Sequence, residues 1–227
     1  MTLKNKLVAI KVGSNVITNE KGLPDEGVIN SISTQIGELK KQGIQVVLIS
    51  SGAVAAGRSL YQFPKKTDTI IQRQVLSSIG QVKLISLYKK IFEELNVMCS
   101  QVLVTKEDFR SRTHYLNMQN CLSALLSHNI VPIINENDVV SITELMFTDN
   151  DELAGLVSAM MNADALVILT NVDGIYNGQG SPGNTSNSIT STAITTVVDG
   201  CLIVGNTQSN IITSDSCMIG TGFYAGP

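Results

Sequence analysis

Apolar residues in this chain fall into two patterns that take turns. Short dense runs of strand length, rich in Val and Ile, occur at "KLVAIKV" (6–12), "IQVVLIS" (44–50), "VMCSQVLVT" (97–105), "IVPIIN" (130–135) and "ADALVILTN" (163–171). Between them, apolar residues recur every three or four positions, the spacing of one helix face. Val28, Ile32, Ile36 and Leu39 share such a face, with Asp25 placed to cap the helix and Gly43 to end it. "SSGAVAAG" (50–57) is a turn of small residues entering a helix. The stretch 67–95 predicts a long amphipathic helix, interrupted near Gly80. "YLNMQNCLSALLSHN" (115–129) predicts another. In "NDELAGLVSAMMN" (150–162), Leu153, Leu156, Val157, Met160 and Met161 fall on one face.

Strand runs that are apolar at every position are buried on both sides. Alternation with helices then predicts a three-layer α/β/α sandwich around a mainly parallel central sheet, here as a single domain over residues 1–227. Asn177–Gly200 departs from the pattern: it is rich in Gly, Ser, Thr and Asn without periodicity, and predicts a long loop before a last strand at "CLIV" (201–204).

Composition narrows the class. A net charge of −3 over 227 residues argues against a general nucleic-acid surface. No apolar run approaches the roughly 18 residues of a membrane span, and the N-terminus lacks a signal-peptide core, so the expected setting is the cytoplasm, away from membranes. Cys99, Cys121, Cys201 and Cys217 form no paired motif and predict reduced thiols and no zinc site. His114 and His128 show no ligand spacing and are expected at structural or surface positions. Charge is uneven: all 16 Lys and Arg lie at or before Arg112, whereas ten of the 19 acids follow it.

Parallel sheets bind ligands beyond the C-terminal ends of their strands. The polar residues just past each run are therefore the candidates: Lys11–Ser14, Ser51–Gly52, Asn135–Asp138 and Thr170–Asp173. Lys11 is either a solvated strand end or a cation aimed at phosphate, with Gly13 letting backbone approach the ligand. No phosphate-loop motif of the GxxxxGK[ST] type is present. The turn after Ser51 suits a carboxylate or phosphate, or tight strand–helix packing. Asn135, Glu136, Asn137 and Asp138 can grip an amino group, or form a plain polar turn. Asp149, Asn150, Asp151 and Glu152 open a helix, where one or two caps would suffice and a further acid can orient lysines. Thr170, Asn171 and Asp173 can line a nucleotide pocket with Tyr176 over it, or make an ordinary turn.

Taken together, "IKVGSNVIT", "VVLISSGAVAAG", "QVLSSIGQVKLI", "YLNMQN", "NIVPIINENDVV", "FTDNDELAGLVSAM" and "LTNVDGIY" resemble the amino acid kinase family, covering about residues 5–176 in the family's order. "NEND" followed by "TDND" resembles the members whose acceptor is the glutamate side chain, and not those acting on carbamate, aspartate, acetylglutamate or uridylate. The resemblance implies transfer of the ATP γ-phosphoryl group to the L-glutamate side-chain carboxylate, giving glutamyl 5-phosphate in the first step of proline biosynthesis. It implies Lys11 and Asp151 as catalytic residues, Asp151 organising the lysines. It implies Ser51, Gly52, Asn135, Asp138, Asp149 and Asn150 around glutamate. Lys11, Gly13, Ser14, Thr170, Asn171, Asp173 and Tyr176 would then serve ATP. Magnesium would arrive with the nucleotide, with no dedicated protein metal site. A homo-oligomer (dimer or tetramer) and feedback inhibition by proline are also implied.

One family feature is missing. A glycine-rich "GxGGMxTK" stretch carries a second phosphate-neutralising lysine, and no Lys or Arg follows Tyr176 here, with about two dozen residues before "CLIV". Either a segment between these points is absent from the sequence as written, or the deletion is genuine and the protein is a poor kinase; an intact mass near 24.3 kDa would decide for the latter. The RNA-binding-like module that often follows the kinase domain is not found either. The alternative readings are a catalytically impaired or regulatory relative that binds glutamate or proline, and an amino acid kinase with another carboxylate acceptor.

Overall fold

A computed structural model describes residues 6–64, 68–141, 150–170, 201–206, 218–219 and 223–224. Six parallel strands form one sheet in the order β3-β4-β2-β1-β5-β6. They are β1 (Leu7–Val12), β2 (Gln45–Ser50), β3 (Cys99–Val104), β4 (Val131–Glu136), β5 (Ala165–Thr170) and β6 (Cys201–Asn206). Each of the first five grew from one of the dense apolar runs, and β6 contains "CLIV". A short antiparallel pair, β7 (Met218–Ile219) with β8 (Phe223–Tyr224), lies outside the sheet.

The helices are α1 (Glu26–Lys41), α2 (Ala53–Arg58), α3 (Thr69–Glu94), α4 (Lys106–Arg110), α5 (Arg112–Ser127) and α6 (Asn150–Met161). The expected caps are in place. The Asp25 carboxylate accepts from the N–H groups of Gly27 and Val28, and Gly43 takes the left-handed conformation (φ 81°) just past α1. Helix α4, one turn long, is too short to show a period and is not foreseen by the apolar spacing.

Strand alternation divides the core in two. Val8, Ile10 and Val12 of β1 face α1 and α3, joining Ile29, Ile32, Ile36, Leu84, Tyr88 and Phe92. Leu7 and Ala9 face the other way, toward Met118 and Leu122 of α5 and Leu153, Val157 and Met160 of α6. Both faces of the inner strands β4, β2, β1 and β5 are therefore covered, which is why these strands read as apolar runs, whereas the edge strand β3 is only partly buried and carries Ser100 and Gln101. The chain steps from β1 through β2 to the β3 edge by way of α1 and α3. It returns through β4 and β5 by way of α5 and α6, on the opposite face. A right-handed crossover demands this change of face when the direction reverses. β2 thus leads to α3 on one face while its neighbour β4 leads to α6 on the other, which makes the β2–β4 boundary a switch point, the position at which such folds open a crevice.

The interruption expected near Gly80 is not there: α3 runs unbroken from Thr69 to Glu94. Gly80 serves packing instead. A Cβ on Gly80 would overlap the backbone of Ala53 and Gly57, and one on Gly57 would overlap the backbone of Leu76. The two helices thus meet backbone against backbone, without side chains between them. That contact fixes α3, and with it the side chains near its N-terminus, over the C-terminal ends of β2 and β4.

Candidate functional site

The register of β1 decides what Lys11 does. Lys11 pairs with Ile49 on one side and Ile168 on the other, and alternation puts its side chain on the α6 face of the sheet. There its ammonium meets Asp151 in the first turn of α6, with Nζ 2.5 Å from Oδ1. The lysine is 4 % exposed. A solvated strand end would lie in water, so that alternative is excluded. A charge this deep persists because it is paired.

Gly13 follows immediately. Its N–H donates to the Leu169 carbonyl at 3.2 Å, extending the β1–β5 ladder by one residue. The Gly13 amide is therefore engaged by the sheet. Ser14, one residue on, lines the cleft described next.

After β2, the Ser51 N–H donates to the Val12 carbonyl at 3.1 Å and holds the turn beside β1. Gly52 then adopts φ 101° as the N-cap of α2. A side chain there would be strained by that φ and would press within 2.6 Å of Ile17, so the position demands glycine. The turn expected from "SSGAVAAG" is present, and its tightness is what brings Ser51 to the sheet's end.

A cleft of about 560 Å³ opens over these strand ends. Its lining includes Ser14, Ser51, Gly52, Asn135, Asp138 and Asn150, six residues picked out from four separated stretches of sequence. A chain of side-chain hydrogen bonds crosses its floor. The Asn150 amide donates to Ser51 Oγ (2.6 Å) and to Asn135 Oδ1 (3.2 Å). Asn135 Nδ2 donates in turn to Gln81 Oε1 on α3 at 3.0 Å, and Asn135 Oδ1 also accepts from the Glu136 N–H at 2.9 Å. Asn150 thus bridges β2 and β4 from the start of α6, one residue before the Lys11 partner Asp151.

Thr170 closes β5 opposite Asn206, at the same end of the sheet. Asp149, Asn171, Asp173 and Tyr176 lie outside the described residues.

The helix α3 contributes what the apolar spacing did not single out. Arg73 donates from Nε (2.9 Å) and Nη2 (2.8 Å) to Asp138 Oδ1 and lies 3.6 Å from Glu136 Oε2. Arg58, at the end of α2, lines the same cleft. In the sequence, both arginines sit on the polar side of helices and look like solvated surface. Only the packing of α2 and α3 over β4 reveals where they point.

Other expectations resolve simply. His114 is largely exposed and sits 2.9 Å from Asp108, and His128 is exposed. Partial burial raises the Asp108 carboxyl, but hydrogen bonds from the Thr105 N–H and hydroxyl and the contact with His114 outweigh it and leave the group below its usual value. Cys99 and Cys121 are free thiols, and burial pushes Cys99 up, helped by the neighbouring Glu93. Among the described residues no helix is long and apolar enough to cross a membrane.

Sequence comparison agrees with this geometry. A glutamate 5-kinase of Bacteroides thetaiotaomicron is 50 % identical over 182 residues, covering 80 % of this chain and 50 % of the relative. One from Chlorobaculum tepidum is 49 % identical over 177 residues, covering 78 % and 49 %. One from Clostridium acetobutylicum is 42 % identical over 172 residues, covering 76 % and 64 %. The chain spans about half the length of the first two. Residues 6–210 match the profile of the amino acid kinase family, with which the parallel sheet and its flanking helices are consistent: this chain belongs to the amino acid kinase family.

Proposed function

We propose that this protein transfers the γ-phosphoryl group of ATP to the side-chain carboxylate of L-glutamate, giving glutamyl 5-phosphate at the start of proline synthesis. The observation that carries the reading is the convergence of Ser51, Asn135, Asp138 and Asn150 on one cleft, with the Lys11–Asp151 pair adjoining it. Relatives that share half of their aligned residues with it are named for the same reaction.

The chemistry suits these side chains. A carboxylate is already a nucleophile and needs no strong base. The obstacle is bringing one anion to another, so positioning and charge neutralisation supply the catalysis. Lys11 is the buried cation for the migrating phosphoryl group, and Asp151 holds its ammonium in place. Asp138 takes the α-ammonium of glutamate. Ser51 and Asn150 orient the chain of the substrate between these ends. Ser14, Gly13 and Thr170 belong to the nucleotide side, together with Asn171, Asp173 and Tyr176.

Among the described residues no cluster of three acids, histidines or cysteines is built to hold a metal. Magnesium would arrive with the nucleotide, bound chiefly through phosphate oxygens and water, and would neutralise phosphate charge. The reading extends to a cytoplasmic homo-oligomer inhibited by proline. Light scattering and addition of proline to the assay measure both.

The test is ADP release coupled to a reporter enzyme, with glutamate, aspartate and acetylglutamate as acceptors. Turnover with glutamate alone is expected. Turnover with aspartate but not glutamate, or glutamate binding without ADP release, would overturn the assignment.

A further inference from the structure

We propose that Arg73 makes the cleft selective for an α-amino acid, by leaving Asp138 and taking the α-carboxylate of the incoming substrate. The inference rests on the reading above in one respect, that Asp138 receives the substrate ammonium.

Three observations lead to it. Arg73 engages Asp138 through one carboxylate oxygen only, Oδ1, reached by both Nε and Nη2. A guanidinium offers five donors in a planar fork and binds a carboxylate best through both oxygens. The contact with Asp138 is therefore not the fullest pairing that Arg73 can make. Second, the two partners are placed differently: Asp138 is 9 % exposed, whereas the Arg73 side chain is 47 % exposed and lines the open cleft. Asp138 is buried two residues past the end of β4, and Arg73 has room to turn. Third, its helix does not move with it. The backbone contact of Gly80 and Gly57 with the facing helix anchors α3, so rearrangement is confined to the side chain.

Charge then does the selecting. A zwitterion replaces one ion pair with two: its ammonium on Asp138 and its carboxylate on Arg73. An amine lacking the α-carboxylate takes Asp138 and leaves Arg73 with no new partner beyond Glu136 nearby. A dicarboxylate lacking the ammonium meets Asp138 and Glu136, two acids, at the same place. Only a substrate bearing both charges on one carbon completes the exchange.

4-Aminobutyrate is glutamate without its α-carboxylate and serves as the probe. The experiment measures the KM for L-glutamate and the inhibition constant of 4-aminobutyrate, in the wild type and in Arg73→Gln and Arg73→Lys. For Arg73→Gln the glutamate KM should rise about 30- to 100-fold with kcat within threefold, while the constant for 4-aminobutyrate stays level or falls, because its ammonium no longer has to displace Arg73. Arg73→Lys keeps the charge without the fork and should fall between. An unchanged glutamate KM, a parallel rise for both compounds, or a fall in kcat alone would overturn the proposal. If wild-type protein shows no turnover with glutamate, the kinase reading fails instead. Calorimetric binding of the two compounds to wild type and Arg73→Gln then reads Arg73 separately: a loss confined to glutamate supports it, and no difference overturns it.

Discussion

Lys11 Nζ lies 2.5 Å from Asp151 Oδ1, yet the two side chains live in different surroundings: the lysine is 5 % exposed and the aspartate 46 %. The cation is therefore the member held in low dielectric, where its field is least screened. An interaction of that kind matters most when charge develops on the migrating phosphoryl group. Lys11→Ala should lower kcat by about 10²- to 10³-fold and leave the glutamate KM within about threefold. Asp151 is reached by water and tolerates the loss, so the melting temperature should shift little. A rise in KM with kcat intact would remove Lys11 from the transfer step.

Asp138 stands at the other end of the cleft and is expected to act on binding. Its carboxylate is buried two residues past β4, and once Arg73 turns away it offers its negative charge to the substrate ammonium. Hydrogen bonds to charged groups contribute about 1.5–3 kcal/mol, and Asp138→Ala should raise the glutamate KM about tenfold or more. Steady-state kinetics with saturating ATP reads this directly. An unchanged KM takes Asp138 out of the substrate pocket.

The sheet was legible in the sequence because its inner strands β1, β2, β4 and β5 are buried on both faces, which writes them as dense apolar runs; the edge strand β3, partly exposed, still carries enough Val and Leu to read as a strand. The site was legible only where it follows such a run. Ser51, Asn135 and Asp138 could be found by asking what lies just past a strand, and the cleft brings them together. Arg73 and Arg58 follow no strand. They reach the cleft because α2 and α3 pack by backbone, and no periodicity reports that contact. Gly80 misled for a related reason. Glycine inside a helix costs about 1 kcal/mol against alanine, so it reads as a break. The tertiary contact with Ala53 and Gly57 offsets the local cost. The Gly13 amide is claimed by Leu169 because the parallel ladder runs one residue beyond the apolar run, a matter of register that composition does not show.

Gly80 also gives the sharpest test of the fold. Alanine there would place a methyl group inside the backbone of Ala53 and Gly57, and backbone cannot swing aside as a flexible side chain does. The helices would have to separate over their whole contact. Overpacking of this sort costs about 1–3 kcal/mol in a side-chain core, and more is expected against backbone. Gly80→Ala should lose about 3 kcal/mol or more, measured by urea unfolding. Gly155, on α6, has nothing within 4 Å of an added Cβ, so Gly155→Ala in the same assay should be neutral or slightly stabilising. Equal effects at the two positions would refute the close packing of α2 on α3.

Tyr88 predicts an alkaline limit to stability. It is fully buried in the α1–α3 half of the core, with its hydroxyl 2.9 Å from Ser50 Oγ. Burial pushes the phenol up from 10 to about 12, with the Ser50 hydrogen bond offsetting part of that rise. The folded state thus favours the neutral phenol, and the unfolded chain ionises first. The stabilisation is complete below pH 10 and is lost as pH rises through about 12. Over that window the loss from this one group is roughly 2–3 kcal/mol. Tyr88→Phe removes the ionisable hydroxyl and should flatten this part of the stability curve, while lowering stability near neutrality by about 1 kcal/mol for the hydrogen bond. Unfolding free energies of the two proteins at intervals between pH 8 and about pH 11 give the comparison. Parallel curves would mean that Tyr88 is hydrated at alkaline pH and that this half of the core admits water.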